Sequence, residues 1–281
     1  MPDDLTSMPQ ARPTLPRPTL ELVSTTDGPA PTAEDAEREY KGRPIRPLAA
    51  WRAYRKLVAD KEDTVQVFEI MNALTGMATP KGYMKLTRLA GGLAFKREEL
   101  ADKFRDPAWL AQFEPGTVGA AYREFMRREN LSVDALARDN RAISPFIEAP
   151  HVYAWYARRI RDTHDVWHVL TGYGRDAMGE TCLVSFSYAQ TGNLGFGFIG
   201  AASALRIGKA IRSVPARKAA WEAYRHGRKA RWLPAVDYEK LFAEPLESAR
   251  VRLGIATPVT YLAVPDDVRA RLTFQGVTAP A

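Results

Sequence analysis

The chain has 281 residues, 46% of them hydrophobic, a formal net charge of +7 and a single cysteine, Cys182. A chain this long buries about 75% of its unfolded surface when folded, so one core suffices, and no apolar run of ~20 residues offers a membrane span. The lone cysteine excludes an intrachain disulfide and points to a reducing compartment, and Asp3 and Asp4 argue against a signal peptide or a mitochondrial transit peptide at the start.

Residues 1–47 are rich in Pro, Thr and small polar residues and read as a disordered arm. From residue 48 onward the apolar pattern follows a helical period, and helices are predicted over 48–59, 63–75, 82–90, 96–105, 107–113, 118–129, 132–138, 150–171, 176–190, 195–211, 215–230, 236–243 and 245–253. Asp63 with Gly76, Thr117 with Asn130, and Ser132 and Ser213 are the expected helix ends. The expected architecture is all-α: one multi-helix domain over 48–257, followed by a tail, 258–281, holding a short strand or helix.

Two features of the later helices bear on function. Gly195-Phe196-Gly197-Phe198-Ile199-Gly200 matches a dinucleotide fingerprint, but a helix rather than a strand precedes it and no acid follows near Arg217–Ala220. Its small residues between aromatic ones suit close helix packing or a groove for an apolar chain. Beyond it, Arg206, Lys209, Arg212, Arg217, Lys218, Arg225, Arg228, Lys229 and Arg231 face Glu222 as their only acid, with Trp221, Tyr224 and Trp232 interleaved. That mixture suits an anionic membrane surface. No RNA or DNA motif accompanies it, so no nucleic-acid partner is expected.

The densest chemistry lies in RRIRDTHDVWHVLTGYGRDAMGE. His164 and His168 stand four apart, which puts both imidazoles on one helix face. The stripe Tyr153, Tyr156, Ile160, His164, Trp167, His168, Thr171 turns that face to the core and leaves Arg158, Arg159, Arg161 and Asp162 largely off it. Glu180 would be ~18 Å further along a continuous helix. Gly172 and Gly174 allow the chain to turn back, so that a helix starting near Asp176 returns Glu180 to the pair. Two imidazoles and a carboxylate suit Zn(II) with an open position, or Fe(II) in a facial triad. Asp165 is then the fourth oxygen, or a partner that fixes an imidazole tautomer. A histidine kept only for a core hydrogen bond is the simpler reading of either imidazole alone, but not of the whole set. Cys182, though near Glu180, reads as a small buried residue rather than a ligand. The zinc-protease pattern is excluded, since Asp165 follows the first histidine where that pattern requires Glu. A metal-dependent phosphohydrolase would also use a His-Asp pair, but it wants a further ligating Asp, and Asp237 stands beside no other ligand type.

His164-Asp165-x-x-His168 followed by Glu180 resembles the signature of the coenzyme Q biosynthesis protein 4 family. EIMNALTGM at 69–77, TVGAAYREFM at 117–126, YAQTGNLG at 188–195 and PLESARVRLGI at 245–255 resemble it in the same order, so the likeness covers residues 50–255. The resemblance implies an all-helical, dimeric, peripheral membrane protein that works with other ubiquinone-biosynthesis enzymes and removes the C1 carboxylate of a polyprenylated 4-hydroxybenzoate, either plainly or with oxidation at C1. It makes His164, Asp165, His168 and Glu180 the metal ligands. Together with the missing transit peptide it implies a bacterial member on the cytoplasmic side of the inner membrane. The rival to an enzyme is a non-catalytic, lipid-binding scaffold whose metal is structural.

Overall fold

The structure is a computed structural model and describes residues 30–60, 63–273 and 276–277. Its helices in chain order are α1 (Ala33–Gly42), α2 (Pro47–Ala59), α3 (Thr64–Leu74), α4 (Ala78–Leu89), α5 (Gly91–Lys96), α6 (Leu100–Phe104), α7 (Pro107–Ala111), α8 (Val118–Arg128) and α9 (Val133–Ile143). A 3-10 turn, Pro145–Glu148, leads to α10 (Val152–Asp162), α11 (His164–Thr171), α12 (Ala177–Thr191), α13 (Leu194–Ala210) and α14 (Ala216–Lys229). A second 3-10 turn, Leu233–Ala235, leads to α15 (Tyr238–Phe242), α16 (Leu246–Leu253), α17 (Val259–Leu262) and α18 (Asp266–Ala270). The described residues end in a two-residue antiparallel pairing, β1 (Leu272–Thr273) with β2 (Gly276–Val277), in the register Leu272↔Val277 and Thr273↔Gly276. The fold is all-α, as the periodicity predicts.

The core is organised on α12. Eleven of its fifteen residues are buried, so it is apolar almost all round, as a central helix must be. It packs against α13 and α14 along its length and against α11 near its start. Glycines permit the approach. A Cβ on Gly200 would lie 2.5 Å from the Ser185 hydroxyl, and one on Gly195 would lie 2.6 Å from the Met71 sulfur. The glycines of the fingerprint-like run therefore serve helix packing and not a dinucleotide. The far end of α12 is fastened by Gln190, whose amide donates to the Gly227 carbonyl (2.7 Å) and accepts from the Leu233 N–H (2.7 Å).

Several boundaries differ from the sequence expectation. Within the supposed disordered arm, residues 33–42 form α1, closed by a capping box between Thr32 and Asp35. Ala36 and Tyr40 are buried against Ala149, Tyr153 and Ala154. Two apolar anchors on a charged helix are too few to show through the Pro-rich average of that segment; residues 1–29 lie outside the described residues. The tail does not stand apart either, for Tyr261, Val264 and Leu272 belong to the main core. The helix expected over 96–105 is divided by Arg97, which is left-handed (φ 50°). Of the expected caps, Thr117 does cap α8 (3.2 Å to the Ala120 N–H), whereas Pro215 and not Ser213 precedes α14.

The long helix expected over 150–171 is two helices meeting at Thr163. The Thr163 hydroxyl donates back to the Arg159 carbonyl (2.9 Å), a bond that competes with the helix ladder. Arg159, Arg161 and Asp162 are buried rather than solvated. Arg159 donates to the carbonyls of Pro234 (3.0 Å) and Val236 (2.5 Å), and Arg161 pairs with Asp162 at 2.7 Å. These three residues off the predicted stripe are thus covered by the chain, Arg159 held by two carbonyls and Arg161 and Asp162 by each other.

Candidate metal centre

α11 is a helix of eight residues, too short to hold itself in water, and it is fixed from three sides. Trp167 donates its indole N–H to the Tyr238 hydroxyl (2.7 Å). Arg250 donates to the carbonyls of Val169 and Leu170, both at 2.9 Å, which satisfies two of the orphan acceptors at the helix end. Gly172 closes the helix in the left-handed conformation (φ 76°), its N–H on the His168 carbonyl at 2.9 Å.

From there the chain turns back in a few residues. Asp176 caps α12, its Oδ1 accepting from Met178 and Gly179 N–H, each at 3.0 Å. The loop lies so close to the new helix that a Cβ on Gly179 would be 2.1 Å from the Gly174 carbonyl oxygen. This tight return brings Glu180, in the first turns of α12, to the histidines of α11. The expected reversal at Gly172 and Gly174 is what the fold contains.

One donor atom from each of His164, His168 and Glu180 lies within 4.8 Å of the other two. His168 Nε2 is 3.5 Å from Glu180 Oε1, and His164 Nε2 is 3.8 Å from Glu180 Oε2. Donors held at ~2.1 Å by a tetrahedral metal are separated by ~3.4 Å, close to these spacings. The two imidazoles are edge-to-face, with ring centres 5.0 Å apart. Phe125 of α8 stacks on the buried His168 at 5.3 Å.

The tautomer of His168 is set by its neighbour. Its Nδ1 lies 2.9 Å from the Tyr173 carbonyl, which can only accept, so Nδ1 carries a proton. In the neutral ring Nε2 then presents a lone pair toward the Glu180 carboxylate. Two lone-pair donors facing each other require a proton or a cation between them, and the donor set therefore fits a divalent metal. Without metal a proton takes the place. Burial alone lowers the His168 pKa, but the charge of Glu180, its hydrogen bond, Asp165 and the Tyr173 carbonyl together raise it. Burial alone would raise Glu180, yet His168 and His164 hold its carboxyl well below the usual carboxylate range.

Asp165 is placed differently from the other three. It does not join the converging atoms. Its charge nevertheless reaches His168 and the buried Tyr122 of α8. Arg175 is a contact the sequence does not announce: its Nε is 3.7 Å from Glu180 Oε1, on the loop between α11 and α12. Cys182 is fully buried, and burial pushes its thiol well above the ordinary range, so it offers no thiolate. A separate cleft of about 590 Å³ between α1 and α3, lined by Asp35, Arg43, Asn72 and Phe146 among others, contains none of the three donors. Two of its arginines are paired with its own acids, Arg38 with Asp35 and Arg43 with Glu39.

The model of the coenzyme Q (ubiquinone) biosynthesis protein Coq4 family matches residues 83–259. The chain belongs to this family. It is 26% identical over 193 residues to the mitochondrial ubiquinone biosynthesis protein COQ4 homolog of Bos taurus, covering 67% of this chain and 70% of that protein. It is 29% identical to the Danio rerio homolog over 150 residues (53% of each chain), and 27% identical to the Homo sapiens homolog over 165 residues (58% of this chain, 59% of that one). The chain thus spans from about half to 70% of the length of these relatives. The crystal structure of a "Putative ubiquinone biosynthesis protein" from Nostoc punctiforme shares the fold, with a TM-score of 0.56 at 20% identity over 76% of this chain and all of that one.

All three converging donors and Asp165 lie inside the Coq4 match, as do Phe125, Tyr173 and Arg175. Tyr261, which touches the loop between the ligand helices, lies outside it.

Proposed function

We propose that this Coq4-family chain acts in ubiquinone biosynthesis, removing the C1 carboxylate of a polyprenylated 4-hydroxybenzoate at a metal held by His164, His168 and Glu180. The observation that carries this reading is the convergence of the three donors, with the His168 lone pair turned toward Glu180 by the Tyr173 carbonyl. Asp165 stands outside the three converging donors, and its charge on His168 supports a role in orienting an imidazole over one as a fourth oxygen. Zn(II) is the metal expected, with Fe(II) or another redox metal second.

A carboxylate para to a phenolic hydroxyl leaves as carbon dioxide once ring carbon C1 takes a proton, the electron pair of the broken C–C bond returning to the ring; oxidation at C1 instead would require dioxygen as the oxidant. The bound metal supplies an electrophile for the carboxylate or for negative charge developing on the ring. The chain's own groups do the rest. Arg175, whose Nε lies 3.7 Å from Glu180 Oε1, would bring positive charge to the substrate carboxylate beside a metal held there. Phe125 and the buried walls around His168 keep water from that side of the site. The prenyl tail needs an apolar path, and the outer face of α13 offers one, with Leu194 and Leu205 exposed and Phe198 packed on the half-exposed Trp51 of α2.

No helix of the described residues is long and apolar enough to cross a membrane. The basic stretch 206–231 is exposed and supports peripheral attachment to anionic lipid. On this reading the protein is a bacterial homodimer on the cytoplasmic face of the inner membrane, beside other ubiquinone-biosynthesis enzymes.

The test is metal analysis of the purified protein, followed by incubation with a prenylated hydroxybenzoate with and without oxygen. One divalent metal per chain is expected, with substantial loss in His168→Ala. A host lacking its own enzyme should regain ubiquinone with the wild-type chain but not with His164→Asn or Glu180→Gln. Rescue by both variants, with no carboxylated intermediate accumulating, would replace the catalytic reading by that of a lipid-binding scaffold.

A further inference from the structure

The loop joining α11 and α12 is held from outside by the Tyr261 hydroxyl. Tyr261 Oη accepts the Gly174 N–H at 3.0 Å and donates to Asp176 Oδ2 at 2.5 Å. Its two partners flank the loop. One residue before Gly174 is Tyr173, whose carbonyl fixes His168. Asp176 in turn uses its other oxygen to cap α12, four residues ahead of Glu180. The loop has no room to settle elsewhere. A Cβ on Gly174 would come within 2.7 Å of Tyr261 Oη, and the Gly174 carbonyl is pressed against Gly179 on the other side.

Tyr261 is itself well anchored. It is 2% exposed, its ring meets that of Tyr173 edge-on at 5.5 Å, and the Arg269 guanidinium lies over it at 4.3 Å. The preceding Thr260 donates its N–H to Glu222 of α14 at 3.0 Å, with its hydroxyl on the same carboxylate. The rigid body of the protein thus reaches, through α14 and α17, the one loop that sets the relation of His168 to Glu180.

We propose that Tyr261 is a positioning residue for the metal centre: its hydroxyl clasps Gly174 to Asp176 and so holds the His168 carbonyl partner and the Glu180 helix at ligand distance. This rests on the metal reading above and extends it to a residue outside the family match. Partners that orient metal ligands are commonly worth about 10- to 100-fold in metal affinity, and the clasp belongs in that range.

The test is titration of the metal-free protein with Co(II), read by visible absorption, alongside thermal unfolding of the metal-free proteins. Tyr261→Phe keeps the buried ring and removes the hydroxyl. It should weaken Co(II) binding about 10- to 100-fold and alter the ligand-field bands. If Tyr261→Phe does not purify, Asp176→Ser serves, because Ser still caps a helix but offers no second oxygen to the tyrosine; the same loss is expected. Wild-type affinity and spectrum in the variant, even with a lowered Tm, would show a merely structural contact and overturn the proposal. A wild-type chain that takes up no Co(II) would overturn the metal reading with it.

Discussion

At the scale of single residues the centre is a pair of opposed titrations. His168 titrates above its ordinary value and Glu180 below its own, each because the other is near despite the burial that opposes both charges. In the metal-free protein the His168 contribution to stability is fully present below the unfolded histidine pKa of about 6.5, and it is lost as pH rises through the raised folded value. The Glu180 contribution is present above its unfolded pKa and lost as pH falls through the depressed folded value. Metal must displace the His168 proton. Apparent affinity is therefore expected to fall about tenfold per pH unit below the His168 pKa, and the metal-induced rise in Tm should grow between pH 6 and pH 8. A rise in Tm that is flat across that interval would mean His168 is not a ligand. The histidines and Glu180 are legible in the sequence because a four-residue spacing and a glycine break are local signals. Tyr173 is not, because it acts through a carbonyl that every residue carries. Tyr261 is not, because it lies 85 positions from Asp176.

At the scale of elements, the return between α11 and α12 depends on two glycines for different reasons. Gly172 needs its left-handed backbone but has open surroundings, with nothing closer than 3.9 Å to an added Cβ. Gly172→Ala should cost about 1 kcal/mol, or roughly 2–4 °C in Tm. Gly179 has an ordinary helical backbone, yet an added Cβ meets the Gly174 carbonyl at 2.1 Å. Gly179→Ala must displace the loop, at about 3 kcal/mol, and should lose metal as well. Thermal unfolding with elemental analysis of the two variants checks this; equal Tm and full metal retention in Gly179→Ala would refute it. The sequence announces Gly172 as a stop, while the role of Gly179 depends on a backbone approach that no periodicity reveals. The break at Thr163 is hidden for a similar reason: the stripe of Tyr156, Ile160, His164 and Trp167 continues across it, and the Thr163 hydroxyl shares the Arg159 carbonyl with the Thr163 N–H.

At the scale of the whole molecule, charge and apolar surface coincide along one stretch. The basic residues from Arg206 to Arg231 are exposed, and so are Leu205 and Trp221, the latter at 61%. The three aromatic residues read from the sequence as interleaved have separate roles. Trp221 stacks on Tyr224 and remains at the surface. Trp232 turns inward, its indole N–H on the Gln190 carbonyl (2.5 Å) and Lys85 above its ring at 4.2 Å. Flotation with anionic liposomes should therefore weaken several-fold in Trp221→Ala and with added salt, whereas Trp232→Ala should lower Tm and leave the binding of the folded fraction intact. Binding that depends on Trp232 and not on Trp221, or that is equal on neutral vesicles, would place the contact elsewhere. Composition identifies the basic stretch, but only the packing of α14 against α12 tells which aromatic side chain meets solvent.

The clasp on the return loop also orders events in time. At roughly 5–20 residues per second, the ribosome makes His164, His168 and Glu180 several seconds before it reaches Tyr261. All the donors are thus born before the hydroxyl that aligns them. A nascent chain carries the ligands without their geometry, so metal delivery belongs after the last helices have emerged. A message truncated between the two would yield a polypeptide with the full signature and an unaligned centre.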